Sequence, residues 1–125
     1  MCNKNRTILF IEDNPEILEN TLEILELDGY RVLGAKNGEK GAEMIFEHKP
    51  DLILSDIMVP RLNGYDLLKL VKSNPATAEI PFVFLSASAQ REDIEKGRMS
   101  GATAYLVKPI LADDLKKVIS EILED

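Results

Sequence analysis

The feature of this 125-residue sequence that most constrains its fold is a strict alternation between two kinds of segment. Short apolar runs typical of β-strands occur five times, and a stretch with helical periodicity follows each one. The five runs are Thr7–Ile11, Tyr30–Ala35, Leu52–Ser55, Phe82–Ser86 and Ala104–Val107. Five β–α units in series predict an α/β fold with one doubly wound parallel sheet, because right-handed crossovers place helices on both faces.

The stretches between these runs carry the start and stop signals of helices. Asn14 can cap the first helix, and Pro15 suits its first position, where the missing N–H is not needed. Gly29 favours the end of that helix. The fourth stretch, about Arg91–Ser100, has the thinnest apolar stripe. The residues expected on the buried faces are Ile17, Thr21, Leu22 and Leu25, then Ala42, Ile45 and Phe46, then Leu67, Leu68 and Val71, then Ile94 and Met99, and finally Leu115, Val118, Ile119, Ile122 and Leu123.

Composition is typical of a soluble protein with one core. Hydrophobic residues make up 45% and charged residues 30%, so we expect a single domain over residues 1–125. No apolar run approaches the about 20 residues of a membrane span, and Glu12 and Asp13 come too early for a signal peptide. These features predict a cytoplasmic protein with no membrane contact. Cys2 is the only cysteine, which excludes an internal disulfide and suggests a terminal residue without a role.

The formal net charge of −7 argues against direct nucleic-acid binding. Such binding depends on lysine and arginine side chains that neutralise phosphates. We therefore expect any DNA contact to belong to another domain or subunit.

Polar and charged side chains stand at the carboxyl ends of four predicted strands. These residues are Glu12 and Asp13 after the first strand, Asp56 after the third, Ser86 at the end of the fourth and Lys108 after the fifth. In an open parallel sheet the ligand crevice lies at this edge, near the point where the strand order reverses. A single acid after a strand is most often a solvated loop residue or a helix cap. Complementary groups on four strand ends predict a binding site.

The three carboxylates in this set indicate what the site would bind. Carboxylates that lie close together repel one another, so they must take up protons or recruit a cation. Oxygen ligands without histidine or cysteine favour Mg²⁺, for which Mn²⁺ could substitute. A divalent ion and Lys108 would together balance the three negative charges. Magnesium shares its coordination shell readily with phosphate oxygens, and aspartate is a known acceptor of phosphoryl groups.

Four motifs stand at the predicted strand ends, namely the acidic segment Ile8–Asn14, the loop Asp56–Gly64 with its proline and glycine, the segment Phe84–Ala87 and the last strand with its Lys-Pro, Gly101–Pro109. In this order they resemble the acidic opening, the phosphoacceptor loop, the switch hydroxyl and the last strand of the receiver domains of two-component response regulators. The resemblance covers essentially the whole chain, and it implies a flavodoxin-like (βα)5 fold with strand order 2-1-3-4-5.

The resemblance implies a role for each acidic residue of the site. Asp56 would accept a phosphoryl group from a sensor histidine kinase or a phosphotransfer protein. Asp13 would bind Mg²⁺ directly and Glu12 mainly through water, with the backbone carbonyl of Met58 as a further ligand. The domain would be a phosphoacceptor that promotes its own phosphorylation and dephosphorylation, and not an enzyme in the usual sense.

The resemblance also implies how the signal leaves the site. Lys108 would pair with the phosphoryl group, Ser86 would hydrogen-bond to it, and Tyr105 would turn inward when Ser86 moves. The face made by the fourth helix, fifth strand and fifth helix would change, and an effector domain or a second copy could bind there. The Lys108–Pro109 peptide is expected to be cis, as in the family.

Some positions depart from the family pattern. Glu12 stands where aspartate is commoner, and Leu111 stands where a helix-capping residue is usual, so the last helix could begin elsewhere. Met58 and Ser88 occupy the two variable positions that flank the acceptor, so the resemblance does not fix the lifetime of the phosphorylated state.

Other polar residues have simpler interpretations. His48 precedes Pro50 near a helix end and is expected at the surface, away from the site strands. Asp113 and Asp114 favour a helix N-terminus. The run Arg91–Asp93 is interpreted as an ordinary solvated helix start.

Three alternatives share parts of this pattern. An aspartyl-nucleophile phosphatase of the haloacid dehalogenase type would need a second acid two residues after the nucleophile, where Met58 stands. A flavodoxin-like electron carrier would need a hydroxyl-rich first loop to hold phosphate, and Glu12 and Asp13 would repel that group. A phosphorylation-independent interaction module usually lacks the acceptor, the acids or the lysine, all of which are present here.

Overall fold

The computed structural model describes residues 6–124 and has the predicted α/β architecture. Five parallel strands form one sheet in the order β2-β1-β3-β4-β5, which confirms the flavodoxin-like topology. The strands are β1 (Thr7–Ile11), β2 (Arg31–Ala35), β3 (Leu52–Asp56), β4 (Phe82–Ser86) and β5 (Ala104–Val107). The helices are α1 (Pro15–Leu27), α2 (Gly38–His48), α3 (Gly64–Lys72), α4 (Arg91–Met99) and α5 (Ala112–Leu123). Cys2 and Asp125 lie outside the described residues.

The sheet reverses its winding direction at β1, and this reversal creates the crevice that holds the site. Strand β1 pairs with β2 on one side and with β3 on the other. At its carboxyl end, Ile11 lies opposite both Ala35 and Ser55. Chain connections leave this point in opposite directions, and in open parallel sheets this is where a crevice forms at the carboxyl ends of the strands.

The sheet separates the core into two layers, because successive side chains of a strand point to opposite faces. In β1, Leu9 and Ile11 belong to the layer that also contains α2 and α3, whereas Ile8 and Phe10 belong to the layer with α1 and α5. All four side chains are fully buried. Apolar residues at consecutive positions are therefore explained by burial on both faces, which fixes the strand rigidly beneath the site.

The predicted helix signals are present in the structure. Three asparagines cap their helices by accepting a backbone N–H three residues ahead, namely Asn14 from Ile17, Asn37 from Lys40 and Asn63 from Asp66. Gly29 has a φ of 99°, a left-handed conformation that glycine adopts without a Cβ clash. Helix α5 begins directly after Leu111, whose exposed side chain supplies no cap.

Two predicted buried positions are wrong. In α1, Leu18 and Leu25 carry the burial, while Ile17 is exposed. Adjacent apolar residues at 17 and 18 fit the helical period equally well, so periodicity alone could not set the rotation of this helix. In α4, Met99 is 87% exposed and the buried residue is Gly97. Helix α4 therefore approaches the sheet most closely at Gly97, and of its two predicted apolar contacts only Ile94 packs, partly buried, against the core.

Among residues 6–124, no helix combines the length and the apolar character needed to cross a membrane.

Candidate functional site

The carboxyl edge of the sheet brings together three of the predicted site residues. Lys108, one residue after β5, donates a hydrogen bond of 2.8 Å from Nζ to Glu12 Oε1 and another hydrogen bond to Asp56 Oδ2. Glu12 follows β1 directly, and Asp56 is the last residue of β3. The ammonium group thus lies between two carboxylates at the point where the sheet reverses direction. The two acids carry one more negative charge than the lysine offsets.

Burial sets the electrostatics of this trio. Glu12 is 2% exposed, and burial raises its pKa above the ordinary value, with a further contribution from the Asp56 charge. Hydrogen bonds from Lys108 and from the backbone N–H of Asn14 act in the opposite direction. For Lys108, burial alone would lower the pKa, but the hydrogen bonds and charges of Asp56 and Glu12 together raise it. Lys108 therefore stays protonated as the counter-ion of the two acids.

Asp56 is held by its neighbours and remains accessible. One carboxylate oxygen, Oδ2, accepts from Lys108, and the other, Oδ1, accepts a 3.0 Å hydrogen bond from the backbone N–H of Met58. Its side chain is 13% exposed, so a reacting group can reach it from the open edge. The Met58 side chain points into solvent, which leaves only its backbone near the site.

Asp13 stands apart from the trio. Its side chain is exposed, and no hydrogen bond or ion pair joins it to Glu12, Asp56 or Lys108 in the chain from 6 to 124. Within the same residues, no three side chains of Asp, Glu, His or Cys form a ready metal cage. The ammonium of Lys108 lies between the buried carboxylate of Glu12 and the accessible carboxylate of Asp56. The carboxylate oxygens of Glu12 and Asp56 are hard donors of the kind that Mg²⁺ prefers, and Asp13 is adjacent to Glu12 in the sequence.

Ser86 and Tyr105 are linked through Ser88. Ser86 is buried, and its Oγ accepts a 3.1 Å hydrogen bond from the Ser88 N–H. Tyr105 is buried with its hydroxyl donating to the Ser88 carbonyl at 3.0 Å. The inward position of Tyr105 that the family pattern links to switching is thus already adopted in this structure.

Two residues near Ser86 and Tyr105 were not identified correctly from the sequence. Asp93 was interpreted as part of a solvated helix start, but it is half-buried and accepts a hydrogen bond of 2.5 Å from Ser88 Oγ. Gly97 was not singled out, although a Cβ there would lie 2.5 Å from Cδ2 of Tyr105. A glycine inside a polar helix was the available signal for a close contact, whereas nothing local marked Asp93.

The remaining predictions about the site concern its surroundings. The Lys108–Pro109 peptide is cis, as the resemblance implied. His48 is exposed at the end of α2, as expected. Tyr65 on α3 packs against Phe84 at 5.0 Å between ring centroids, and Lys96 lies 4.5 Å above the Tyr65 ring. Helices α3 and α4 therefore meet over β4 beside the switch residues.

Comparison with known proteins identifies the family. A sequence model of the response regulator receiver domain matches residues 8–120. The chain is 34% identical over 116 residues to Protein PilH of Pseudomonas aeruginosa, covering 93% of this chain and 96% of PilH. It is 31% identical over 120 residues to the polar-differentiation response regulator DivK of Brucella anthropi, covering 96% of this chain and 98% of DivK. The chain belongs to the response regulator receiver domain family.

Solved structures agree with this assignment. A putative response regulator from Chloroflexus aurantiacus superposes with a TM-score of 0.90 at 30% identity, covering 96% of this chain and 98% of that chain. The chemotaxis response regulator CheY4 of Vibrio cholerae superposes with a TM-score of 0.88 at 26% identity, covering 94% and 98%. Receiver domains are signalling domains of two-component systems that work with histidine kinases or phosphotransfer proteins.

The bridging position of Lys108 predicts a specific effect on stability. Lys108→Met keeps a long side chain of similar size but removes its charge, which leaves Glu12 facing Asp56 without a counter-ion. We therefore expect a loss of about 3 kcal/mol in unfolding free energy at pH 7. The control Lys40→Met removes an exposed pair with Glu43 and should change stability by less than about 0.5 kcal/mol. Urea unfolding in EDTA measures both variants.

The same variant has a predicted pH dependence. Because the pKa of Glu12 is raised in the folded protein, the folded state binds that proton more tightly than the unfolded chain. The unfavourable burial of ionised Glu12 is therefore relieved as the pH falls and this carboxylate takes up a proton. Removing Lys108, which favours the ionised form, makes this increase in stability larger. The difference between Lys108→Met and wild type should be smaller at pH 5 than at pH 7. An equal loss at both pH values would show that charge repulsion is not the cause.

Proposed function

We propose that this domain is a phosphorylation-controlled switch and that Asp56 accepts the phosphoryl group. The observation that carries this proposal is the contact of Lys108 with both Glu12 and Asp56. Hydrogen bonds from Lys108 and from the Met58 N–H hold the Asp56 carboxylate at the open edge of the sheet, and a carboxylate oxygen can act as the nucleophile toward phosphorus. An Asp56 oxygen attacks phosphorus of a phosphohistidine, the P–N bond breaks with its electron pair going to the imidazole, and an acyl phosphate forms.

Mg²⁺ is the metal that we propose for this site, and Mn²⁺ could substitute. Glu12, Asp13 and Asp56 would supply carboxylate oxygens, and Met58 would supply its backbone carbonyl. The uncompensated negative charge of the Glu12–Lys108–Asp56 trio, with Asp13 adjacent, supports this choice. When bound, the ion would offset the negative charge of the phosphoryl oxygens.

Lys108 and Ser86 are proposed to stabilise the phosphorylated state. The Lys108 ammonium already contacts an Asp56 oxygen, so a small movement lets it pair with a phosphoryl oxygen. Ser86 Oγ uses a lone pair to accept the Ser88 N–H, which leaves its own O–H free to donate. A phosphoryl group on Asp56 would attract the Ser86 O–H toward its own oxygen atoms.

The proposed output is a change in the face formed by α4, β5 and α5, about residues 91–122. Tyr105 and Lys108 belong to β5 and its end, and Ser86 immediately precedes the loop that leads into α4. Besides the buried Gly97, helix α4 packs only the partly buried Ile94 against the core, so few apolar contacts resist its movement. A sensor histidine kinase or a phosphotransfer protein would supply the phosphoryl group, and an effector domain or a second copy would read this face.

The acceptor assignment predicts the result of labelling. With a small phosphodonor and Mg²⁺, intact-mass measurement should find one phosphoryl group per chain, and hydroxylamine should remove it. Asp56→Asn should abolish this label, whereas Asp66→Asn, an exposed acid on α3, should label like wild type. Full labelling of the Asp56→Asn variant would place the acceptor elsewhere. Multiple turnover of phosphate esters would indicate a phosphatase, and no labelling of wild type would favour an interaction module.

The metal assignment predicts the effect of removing charge next to Glu12. Asp13→Asn should weaken Mg²⁺ binding by about tenfold, because the site loses one negative charge and one ligand. The control Asp113→Asn removes an exposed acid at the start of α5 and should leave the affinity unchanged. Magnesium titrations followed by amide NMR shifts measure both. Equal affinities for Asp13→Asn and wild type would contradict the ligand set.

The proposed output through α4, β5 and α5 predicts which residues change when the domain is phosphorylated. Beryllofluoride with Mg²⁺ mimics the acyl phosphate, and hydrogen exchange should then change mainly in residues 86–99 and 104–111. Tyr105→Ala should still be labelled on Asp56 but should lose the response in α4. Changes confined to the Asp56 loop, or centred on α1 and α2, would contradict the proposed face.

A further inference from the structure

Ser88 uses all of its polar groups to join three elements. Its backbone N–H donates to Ser86 Oγ, its hydroxyl donates to Asp93 Oδ2, and its carbonyl accepts from the Tyr105 hydroxyl. The same Oγ also accepts a 3.3 Å hydrogen bond from the Gln90 N–H. Hydrogen bonds from Ser88 to Ser86 at the end of β4, to Asp93 of α4 and from Tyr105 of β5 therefore hold the loop between β4 and α4 in place.

Asp93 adds a hydrogen-bonded anchor to α4, a helix with few apolar contacts. Gln90 stands at the N-cap of α4 and makes no side-chain capping bond. The buried residue of this helix is Gly97, which contributes almost no apolar surface, and Ile94 adds one partly buried apolar side chain packed against the core. The bond from Ser88 to the Asp93 carboxylate is consequently a large part of what holds the first turn of α4 against the loop.

The inward position of Tyr105 depends on the same loop. Its ring occupies the space that a side chain at position 97 would fill, and its hydroxyl needs the Ser88 carbonyl as an acceptor. If Ser88 were displaced, the partly buried Tyr105 hydroxyl would lose its partner. A hydroxyl left unpaired there is costly, so the ring would turn toward solvent, where water can accept the hydrogen bond.

We propose that Ser88 and Asp93 are positioning residues that form a latch between the Ser86 hydroxyl and α4 and hold Tyr105 inward before any phosphoryl group arrives. Any movement of Ser86 toward Asp56 either breaks its bond to the Ser88 N–H or pulls Ser88 with it. When Ser88 follows, Asp93 and Tyr105 follow as well. The coupling of Ser86 movement to α4 rests on the proposed function. The inward position of Tyr105 is a property of the free protein and does not depend on that function.

The free protein, without Mg²⁺ or phosphodonor, provides the first test. In wild type, NMR should show a nuclear Overhauser contact between the Tyr105 ring and Gly97 Hα. Ser88→Ala and Asp93→Ala should each remove this contact and speed amide exchange in the first turn of α4 about tenfold, the effect of one charge-assisted hydrogen bond. Ser88→Thr keeps the hydroxyl and should keep both properties.

Glu92→Ala is the matched control, because Glu92 is a neighbouring acid in the same helical turn and is exposed. It removes the same charge from the helix N-terminus without touching Ser88, so the Tyr105 contact should remain. If Glu92→Ala and Asp93→Ala behaved alike, the role of Asp93 would be a general effect of charge at a helix end. If Ser88→Ala and Asp93→Ala sped amide exchange in α4 but kept the contact between Tyr105 and Gly97, the two residues would act only as a helix cap. That result would overturn the latch.

Beryllofluoride with Mg²⁺ tests the coupling. In Ser88→Ala the amide of Ser86 should still shift, but the shifts in α4 should fall to less than about half of those in wild type. Undiminished α4 shifts in this variant would overturn the coupling. Failure of wild type to respond at all would refute the proposed function instead, and the measurements on the free protein would still decide whether the latch holds Tyr105.

Discussion

The placement of one ammonium group between two carboxylates is the interaction on which the site depends. The reversal of strand order at β1 brings Glu12 and Asp56 to the same crevice, and their charges would repel if nothing separated them. Lys108 reaches the crevice from the end of β5 and hydrogen-bonds to both. These charged hydrogen bonds thus tie the end of the edge strand β5 to the ends of β1 and β3, in addition to the backbone hydrogen bonds of the sheet.

Most of the fold and the centre of the site could be predicted from the sequence. Apolar strands buried on both faces are visible as continuous runs, and the carboxyl ends of parallel strands must share an edge. Those two rules are enough to bring Glu12, Asp56 and Lys108 together. The rotation of α1 could not be predicted, since Ile17 and Leu18 fit the periodicity equally well and only packing against the sheet selects Leu18.

The surroundings of the switch were less predictable because they depend on tertiary contacts. Asp93 is one of several acids near the start of α4, and its neighbours Glu92 and Glu95 are exposed. Only the folded loop shows that Asp93 alone meets the Ser88 hydroxyl. Helix α4 is thus weakly anchored by apolar contacts and specifically anchored by hydrogen bonds. That combination suits the movement of α4 that we propose for the phosphorylated domain.

The most direct test of this account is a pair of crystal structures, one of the free protein and one with Mg²⁺ and beryllofluoride. The account predicts that beryllium is attached to an Asp56 oxygen. It also predicts that Lys108 Nζ moves from its shared position to within hydrogen-bond distance of a fluorine atom, joined by Ser86 Oγ. Beryllofluoride on another side chain, or a Lys108 that keeps its contact with Glu12 and Asp56 and does not approach the fluorine atoms, would contradict it.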